Sequence, residues 1–316
     1  SATPRLVVHS DAHYCITRAA GVLGLGTRNV LRAALDSHRK IDVNRLDDQL
    51  ADLRRRGTPL MGVVACACST PIGAFDRLDE ISDVCRRHDV WLHADAAHGG
   101  AVCFSAKHRH LVAGLQHADS VVWDAHKMLF VPALCAFVFY RDRSHRYETF
   151  RQDAPYLFDP SAPGMADFDS GLVTVECTKR AAVYGLWGTW ALFGRQLFAD
   201  LVDVTFQTAR QLYELLEQAD DFEPLHDPEC NILVFRHLPD PVRSQSPQQI
   251  GQFQHLLRRR LIQSGQFYIV QNTFDGIGAL RVAVCNPLTT QEHLEDLLAA
   301  LRRHGKSILD GAPTAP

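Results

Sequence analysis

No run of eighteen or more apolar residues interrupts this 316-residue sequence, so nothing in it reads as a membrane span. Nor does a cationic leader precede an apolar stretch at its start. An excess of charge is missing too: 33 Lys and Arg face 36 Asp and Glu, a formal net charge of −3. With no long Lys/Arg block, nucleic-acid binding has no electrostatic support. Repeats and low-complexity tracts are absent. A composition of 46 % hydrophobic and 22 % charged residues excludes a disordered or fibrous chain. His93, Asp95, His98, Cys66 and Cys68 are ligand-type residues, but no Cys-x-x-Cys or His-Glu-x-x-His pattern accompanies them, so zinc is set aside. The glycines of LGLGTRN follow a helical pattern rather than a strand, which makes them a helix stop and not a dinucleotide motif.

What is present describes a globular protein of about two domains. Its nine cysteines are an odd number, and several lie inside apolar runs, such as Cys135 in PALCAFVFY and Cys285 in LRVAVC. Such thiols behave as small buried hydrophobes, and their pattern points to a reducing, cytoplasmic compartment.

Short apolar runs alternate with helical patterns through the first two thirds. Strands are expected at 6–8, 60–68, 90–95, 119–125 and 133–141, with helices at 13–24, 44–56 and 76–88. In the helix at 44–56, Asn44 is the expected cap, and Leu46, Leu50 and Leu53 form the apolar stripe. Unbroken apolar strands separated by helices predict a mostly parallel sheet covered on both faces. Residues 142–175 carry little periodicity and several prolines, as a lid or binding loop would. A long helix over 178–220, broken near Gly194, closes a large domain at 1–220. A smaller α/β domain over 221–316 then carries strands at 231–237, 267–271 and 279–286. Its helices are read at 247–265, capped by Ser246, and at 289–305, with a mobile tail after that.

Ligand sites in open α/β sheets lie beyond the carboxyl ends of strands. Four such ends offer His13, Ser69 with Thr70, Asp95, and His126 with Lys127. A lysine amine at a strand end can hold a carbonyl cofactor as a Schiff base. A carboxylate such as Asp95 can keep the ring nitrogen of pyridoxal phosphate protonated. Ala96 and Ala97 would let a flat ring approach the sheet, with His13 over its other face. Taken singly, each residue also has an ordinary reading: Asp95 as a turn cap, Lys127 as a surface side chain, His126 as a satisfied core histidine.

The segments SDAHYCITRAAGVLGLG, HADAAHGG, ADSVVWDAHKML and LRVAVCNPLTTQEHLEDLL, in this order, resemble the group II pyridoxal-phosphate-dependent amino acid decarboxylases. These include the glutamate, aromatic amino acid, cysteine sulfinate and diaminobutyrate decarboxylases. The resemblance implies an α/β fold of the aspartate-aminotransferase type (fold type I), a homodimer with shared active sites, and decarboxylation of an L-amino acid. It also implies roles. Lys127 resembles the lysine that carries the cofactor, Asp95 the partner of the pyridine nitrogen, Ala97 the residue beneath the ring, and His13 the stacking histidine. His126 and Asp124 resemble residues near the phosphate. Tyr156, in DAPYLF, matches a loop tyrosine that protonates the substrate carbon after carbon dioxide leaves.

Departures accompany the match. Cys66 stands where the family has a threonine near the cofactor's phenolic oxygen, beside Ser69, and Cys68 stands for a glycine. His98 replaces an aromatic residue, and Cys177-Thr178-Lys179 replaces a Cys-Gly/Ser-Arg pattern. Family chains are longer and carry an N-terminal helical segment and a Ser/Thr-rich phosphate loop. The expectation is therefore a fragment, a partner chain that supplies these parts, or a protein that differs from the family in earnest. Oxidative deamination, aldehyde formation or lyase chemistry on the same scaffold is the alternative, and a non-catalytic subunit is the other.

Overall fold

The structure, a computed structural model, describes residues 3–150, 170–176 and 178–311. The first part alternates β1 (Arg5–His9), α1 (Tyr14–Val22), β2 (Val30–Ala33), α2 (Val43–Arg55), β3 (Leu60–Cys66), α3 (Leu78–Arg87), β4 (Trp91–Asp95), β5 (Ser120–Asp124), β6 (Ala136–Tyr140) and the short α4 (His145–Phe150). The strands form one sheet in the order β2-β1-β3-β4-β5-β6. All pairings are parallel except β5 with β6, where Ser120 faces Tyr140 and Asp124 faces Ala136. The mostly parallel reading holds, and the apolar strands explain it. Val7, Val63, Ala65, Leu92 and Ala94 are buried under helices that present their own apolar stripes.

Helix α2 shows the logic. Leu46 and Leu50 have no exposed surface, and Leu53 packs at the edge of the same core. Full burial of each leucine contributes about 1.5–3 kcal/mol. The cap differs from expectation: Asp42, in extended backbone, accepts the Arg45 N–H at 3.1 Å. Asn44 already lies inside the first turn, so it caps nothing. Strand β3 also stops earlier than its apolar run. After Cys66 the chain turns back through residues 68–75, with Ala67 bridging antiparallel to Phe75. Strand β2 was not legible, since VLRA has only four residues and just one of them, Ala33, is buried.

Helix α5 (Val183–Glu217) follows and bends at Gly194, whose φ of 71° and ψ of −173° only glycine adopts readily. Phe198, Val202 and Phe206 belong to the first core, and Leu212 and Leu216 to a second. That second core is built by β7 (Phe222–Pro224), β8 (Ile232–His237), α6 (Asp240–Arg243), α7 (Pro247–Gln263), β9 (Val270–Phe274), β10 (Ile277–Ala283) and α8 (Gln291–Leu309). Its sheet runs β7-β8-β10-β9 and is antiparallel throughout. Ser246 and Gln249 make the capping box of α7. Helix α7 can lie on β10 because two glycines meet: a Cβ on Gly278 would stand 2.9 Å from the Gly251 Cα.

Two further expectations are corrected. Strand β9 starts three residues later than FYIVQ, because pairing with β10 begins at Val270–Arg281. Residues 306–309 are helical rather than a tail. Gly305 lies inside α8, where a Cβ would stand 2.9 Å from the His237 ring, and Ile308 packs on the second core. Among the described residues no helix is long and apolar enough to cross a membrane.

Candidate functional site

The carboxyl ends of β4 and β5 and the loop after β1 converge on one place. Asp95 ends β4 and is 8 % exposed, while its carboxylate accepts the Ala97 N–H at 3.2 Å. Across the ladder stands Cys66, the last residue of β3 and also buried. Asp124 ends β5 and takes its backbone bond from Ala97, whose carbonyl accepts the Asp124 N–H at 3.2 Å. The strand ends are thereby tied to each other through Ala97, a small residue at the crossing.

A tight turn after β5 carries His126 and Lys127. The Lys127 N–H donates to the Asp124 carbonyl, and its Nζ lies 3.0 Å from Asp124 Oδ2. Lys127 remains 36 % exposed at its side chain, so the amine is both held and reachable. His126 turns Nδ1 toward the Cys135 backbone, 3.1 Å from its N–H and 2.9 Å from its carbonyl. Its Nε2 stands 3.8 Å from Asp124 Oδ2.

His13 caps α1, with Nδ1 accepting the Cys15 N–H at 3.3 Å. Partial burial and then the Lys127 charge lower its pKa, against the opposing pull of Asp95. The imidazole is thus biased toward its neutral form, and its field partners show that His13, Lys127, Asp95 and Asp124 share one locale. Four of the residues chosen from sequence are brought together this way, with Ala97, His126 and Cys66 around them. Ser69 is used differently. It is fully buried, and its hydroxyl accepts the Ala74 N–H at 3.2 Å inside the turn after β3. Tyr156 and Cys177 lie outside the described residues.

His98, noted in the sequence as a departure from the family motif, is joined here by Asn231 and Arg281, which the sequence reading did not place at the site. His98 donates from Nε2 to Asn231 Oδ1 at 2.8 Å, and Asn231 in turn donates to the Val284 carbonyl at 2.9 Å. Burial, despite the Asn231 bond, pulls the His98 pKa down to about 4. Arg281 of β10 also acts on His98 through its charge, and its own pKa is lowered by burial. A cation within the apolar run ALRVAVC was the available signal for Arg281. Asn231 had none, because its role depends on the meeting of the two sheets.

The residues present fit a flat pyridine aldehyde. An accessible amine, a buried carboxylate at the sheet end, a neutral imidazole and small residues between them are what such a group needs. Among the described residues no group of three or more His, Cys, Asp and Glu is placed to hold a metal ion.

Comparison with known proteins gives concordant results. The family model described as the pyridoxal-dependent decarboxylase conserved domain matches residues 1–238. Cysteine sulfinic acid decarboxylase of Rattus norvegicus is 34 % identical over 310 residues, covering 96 % of this chain and 63 % of its own. Acidic amino acid decarboxylase GADL1 of Homo sapiens is 30 % identical over 317 residues, covering 98 % and 61 %. The crystal structure of mouse CSAD superimposes with a TM-score of 0.90 at 32 % identity, covering 96 % of this chain and 64 % of that one. The chain spans less than two thirds of the length of these curated relatives.

Proposed function

Because this chain belongs to the pyridoxal-dependent decarboxylase family, we propose that it forms the cofactor-binding core of an enzyme converting an L-amino acid to its amine and carbon dioxide. The observation that carries this reading is the meeting of Lys127, Asp124, Asp95 and His13 at the strand ends. Pyridoxal phosphate, when bound, supplies an electron sink for the pair released by the breaking Cα–carboxylate bond. The protein's part is positioning and proton control.

Lys127 Nζ is the amine that carries the cofactor, and Asp124 Oδ2 orients it and balances its charge. Asp95, shielded from water, would keep a proton on the ring nitrogen of the bound cofactor. His13, biased neutral, would cover the ring without adding a second positive charge, and the small Ala97 would leave it room. His126 and Asp124 would help hold its phosphate. Cys66 sits beside Asp95, with Ser69 behind it in the turn. Tyr156 is the donor that returns a proton to Cα. The cysteine sulfinic acid and acidic amino acid decarboxylases among the relatives make a short acidic L-amino acid the first substrate to test.

The large unit ends near residue 220 and the small unit follows, with α5 contributing to both cores. The protein acts as a cytoplasmic homodimer with shared active sites. The exposed Tyr184, Trp187, Leu192 and Phe193 on α5 support association, since aromatic patches of this kind are interaction surfaces. A panel of L-amino acids scored for carbon dioxide and amine tests the reaction. Release of aldehyde or keto acid in place of amine would overturn it, and so would an unchanged cofactor absorption spectrum in Lys127→Ala.

A further inference from the structure

Two thiols from the two sheets meet in the interior. Cys68 Sγ, in the turn after β3, lies 3.9 Å from Cys230 Sγ, which sits just ahead of β8. Both residues are buried, at 6 % and 2 % exposure. They lie 162 residues apart in the sequence, so only the packing of the two units makes this contact.

The contact is built from both sides. A Cβ on Gly73 would fall 2.1 Å from Cys230 Sγ, so the bare glycine is what admits the thiol. The turn holding Cys68 is closed by Ser69 N–H to the Ala74 carbonyl at 2.8 Å and by Gly73 N–H to the Ser69 carbonyl at 2.9 Å. On the other side Cys230 is flanked by two anchored residues. Glu229 accepts the Phe75 N–H at 2.9 Å and pairs with Lys40, and Asn231 bonds His98 and the Val284 carbonyl. Neither sulfur is free to drift from the other. A third thiol, Cys285, is exposed nearby and takes a weak bond from Asn231 Nδ2 at 3.8 Å, so the neighbourhood reaches the surface.

We propose that Cys68 and Cys230 form a reversible disulfide that ties the parallel sheet to the antiparallel one beside the candidate site, with a peroxide as oxidant. Hydrogen peroxide first converts one thiol to a sulfenic acid and releases one water. The second sulfur then attacks the first, the S–S bond forms as the S–O bond breaks, and the hydroxyl leaves with the remaining thiol proton as the second water. Each sulfur loses one electron overall, and the two oxygens of the peroxide are reduced. Bonding distance is about 2.05 Å, so the two turns need close by only about 2 Å. The Cys230 contact and burial both hold the Cys68 thiol protonated well above its usual range. Thiolate is the reactive form, so oxidation is slow at neutral pH and accelerates in alkali.

The closed bond would fix Cys230 and its neighbour Asn231 against the large sheet. Since Asn231 holds His98, the oxidation state of the pair bears on the site wall.

The test is peroxide treatment of the folded protein, followed by thiol alkylation, intact mass and peptide mapping. The expected result is loss of two alkylatable thiols together, a mass lower by two hydrogen atoms, and a peptide pair linking Cys68 to Cys230 that dithiothreitol dissolves. Cys68→Ser and Cys230→Ser each abolish that peptide pair, whereas Cys103→Ser, at an exposed site elsewhere, retains it. Melting of the oxidised protein on a non-reducing scan should shift upward in the parent and in Cys103→Ser only. A link of Cys230 to Cys285 instead, or separate alkylation of Cys68 and Cys230 after exhaustive oxidation, would overturn the proposal.

Discussion

Lys127 and Asp124 form an ion pair of 3.0 Å within a single turn, so the carboxylate that orients the amine comes from the strand that delivers it. The pair is partly open to solvent, which limits its energy to about 1 kcal/mol or less. Asp124→Asn should therefore weaken cofactor retention only about threefold to fivefold, the equivalent of ~1 kcal/mol. Lys127→Ala should eliminate covalent attachment altogether. Borohydride reduction followed by mass measurement separates these outcomes. Covalent retention in Lys127→Ala would assign the attachment to another amine.

Asp76 is buried and holds β1, β3 and the segment before α2 together. Its carboxylate accepts the Ile41 and Cys66 N–H groups, each at 2.7 Å, and its Oδ1 lies 3.6 Å from His9 Nε2. Removing it strands two buried donors, a loss of about 2–5 kcal/mol. Asp76→Ala should lower the urea midpoint accordingly, and Asp76→Asn should lose less because its amide oxygen still accepts a bond. Equal loss in both variants would mean that charge, not hydrogen bonding, sets the effect.

The cap of α2 allows a direct contrast. Asp42→Ala should cost about 1 kcal/mol in chemical denaturation, whereas Asn44→Ala, inside the helix, should cost little. The opposite order would restore Asn44 as the cap.

The sheet strands β1, β3, β4 and β5 were legible because burial on both faces leaves near-continuous apolar runs. Helices α2, α3, α7 and α8 were legible from their helical patterns, and α7 also from its Ser246 cap. Strands β2 and β7 were not. VLRA and FEP are too short for periodicity to show, and pairing with long neighbours is what makes them strands. The same division holds at the site. His13, Asp95 and Lys127 announced themselves as polar residues just beyond apolar strands. Asn231 and the Cys68–Cys230 contact depend on the docking of two sheets, which no local pattern encodes. Ser69 had the right strand-end position, but the turn uses its hydroxyl.

Close packing of α7 on β10 rests on the Gly251–Gly278 contact. A methyl group at Gly278 would meet backbone atoms of Gly251 at 2.9 Å, and backbone cannot swing aside as a side chain does. Gly278→Ala should cost about 1–3 kcal/mol, the usual range for overpacking. Thermal melting gives the measurement, and an unshifted midpoint would mean that α7 is less firmly seated.

His98 gives the fold a dependence on acid. Its pKa falls from 6.5 to about 4 on folding, chiefly through burial of the ring. The unfolded chain therefore binds a proton that the folded one refuses throughout this interval. Stability contributed by neutral His98 is complete above pH 6.5, declines as the pH drops through the interval, and is gone below about 4. At 1.36 kcal/mol per pH unit, the total change is up to about 3 kcal/mol. The Nε2–H bond to Asn231 survives in the neutral ring, which makes His98→Gln the informative variant, since its amide can still donate there. Denaturation between pH 7 and 4.5 should show a steeper acid loss in the parent than in His98→Gln. Parallel profiles would place the acid sensitivity on other groups, while a variant already weakened at pH 7 by the same amount at every pH would mark His98 as a packing residue alone.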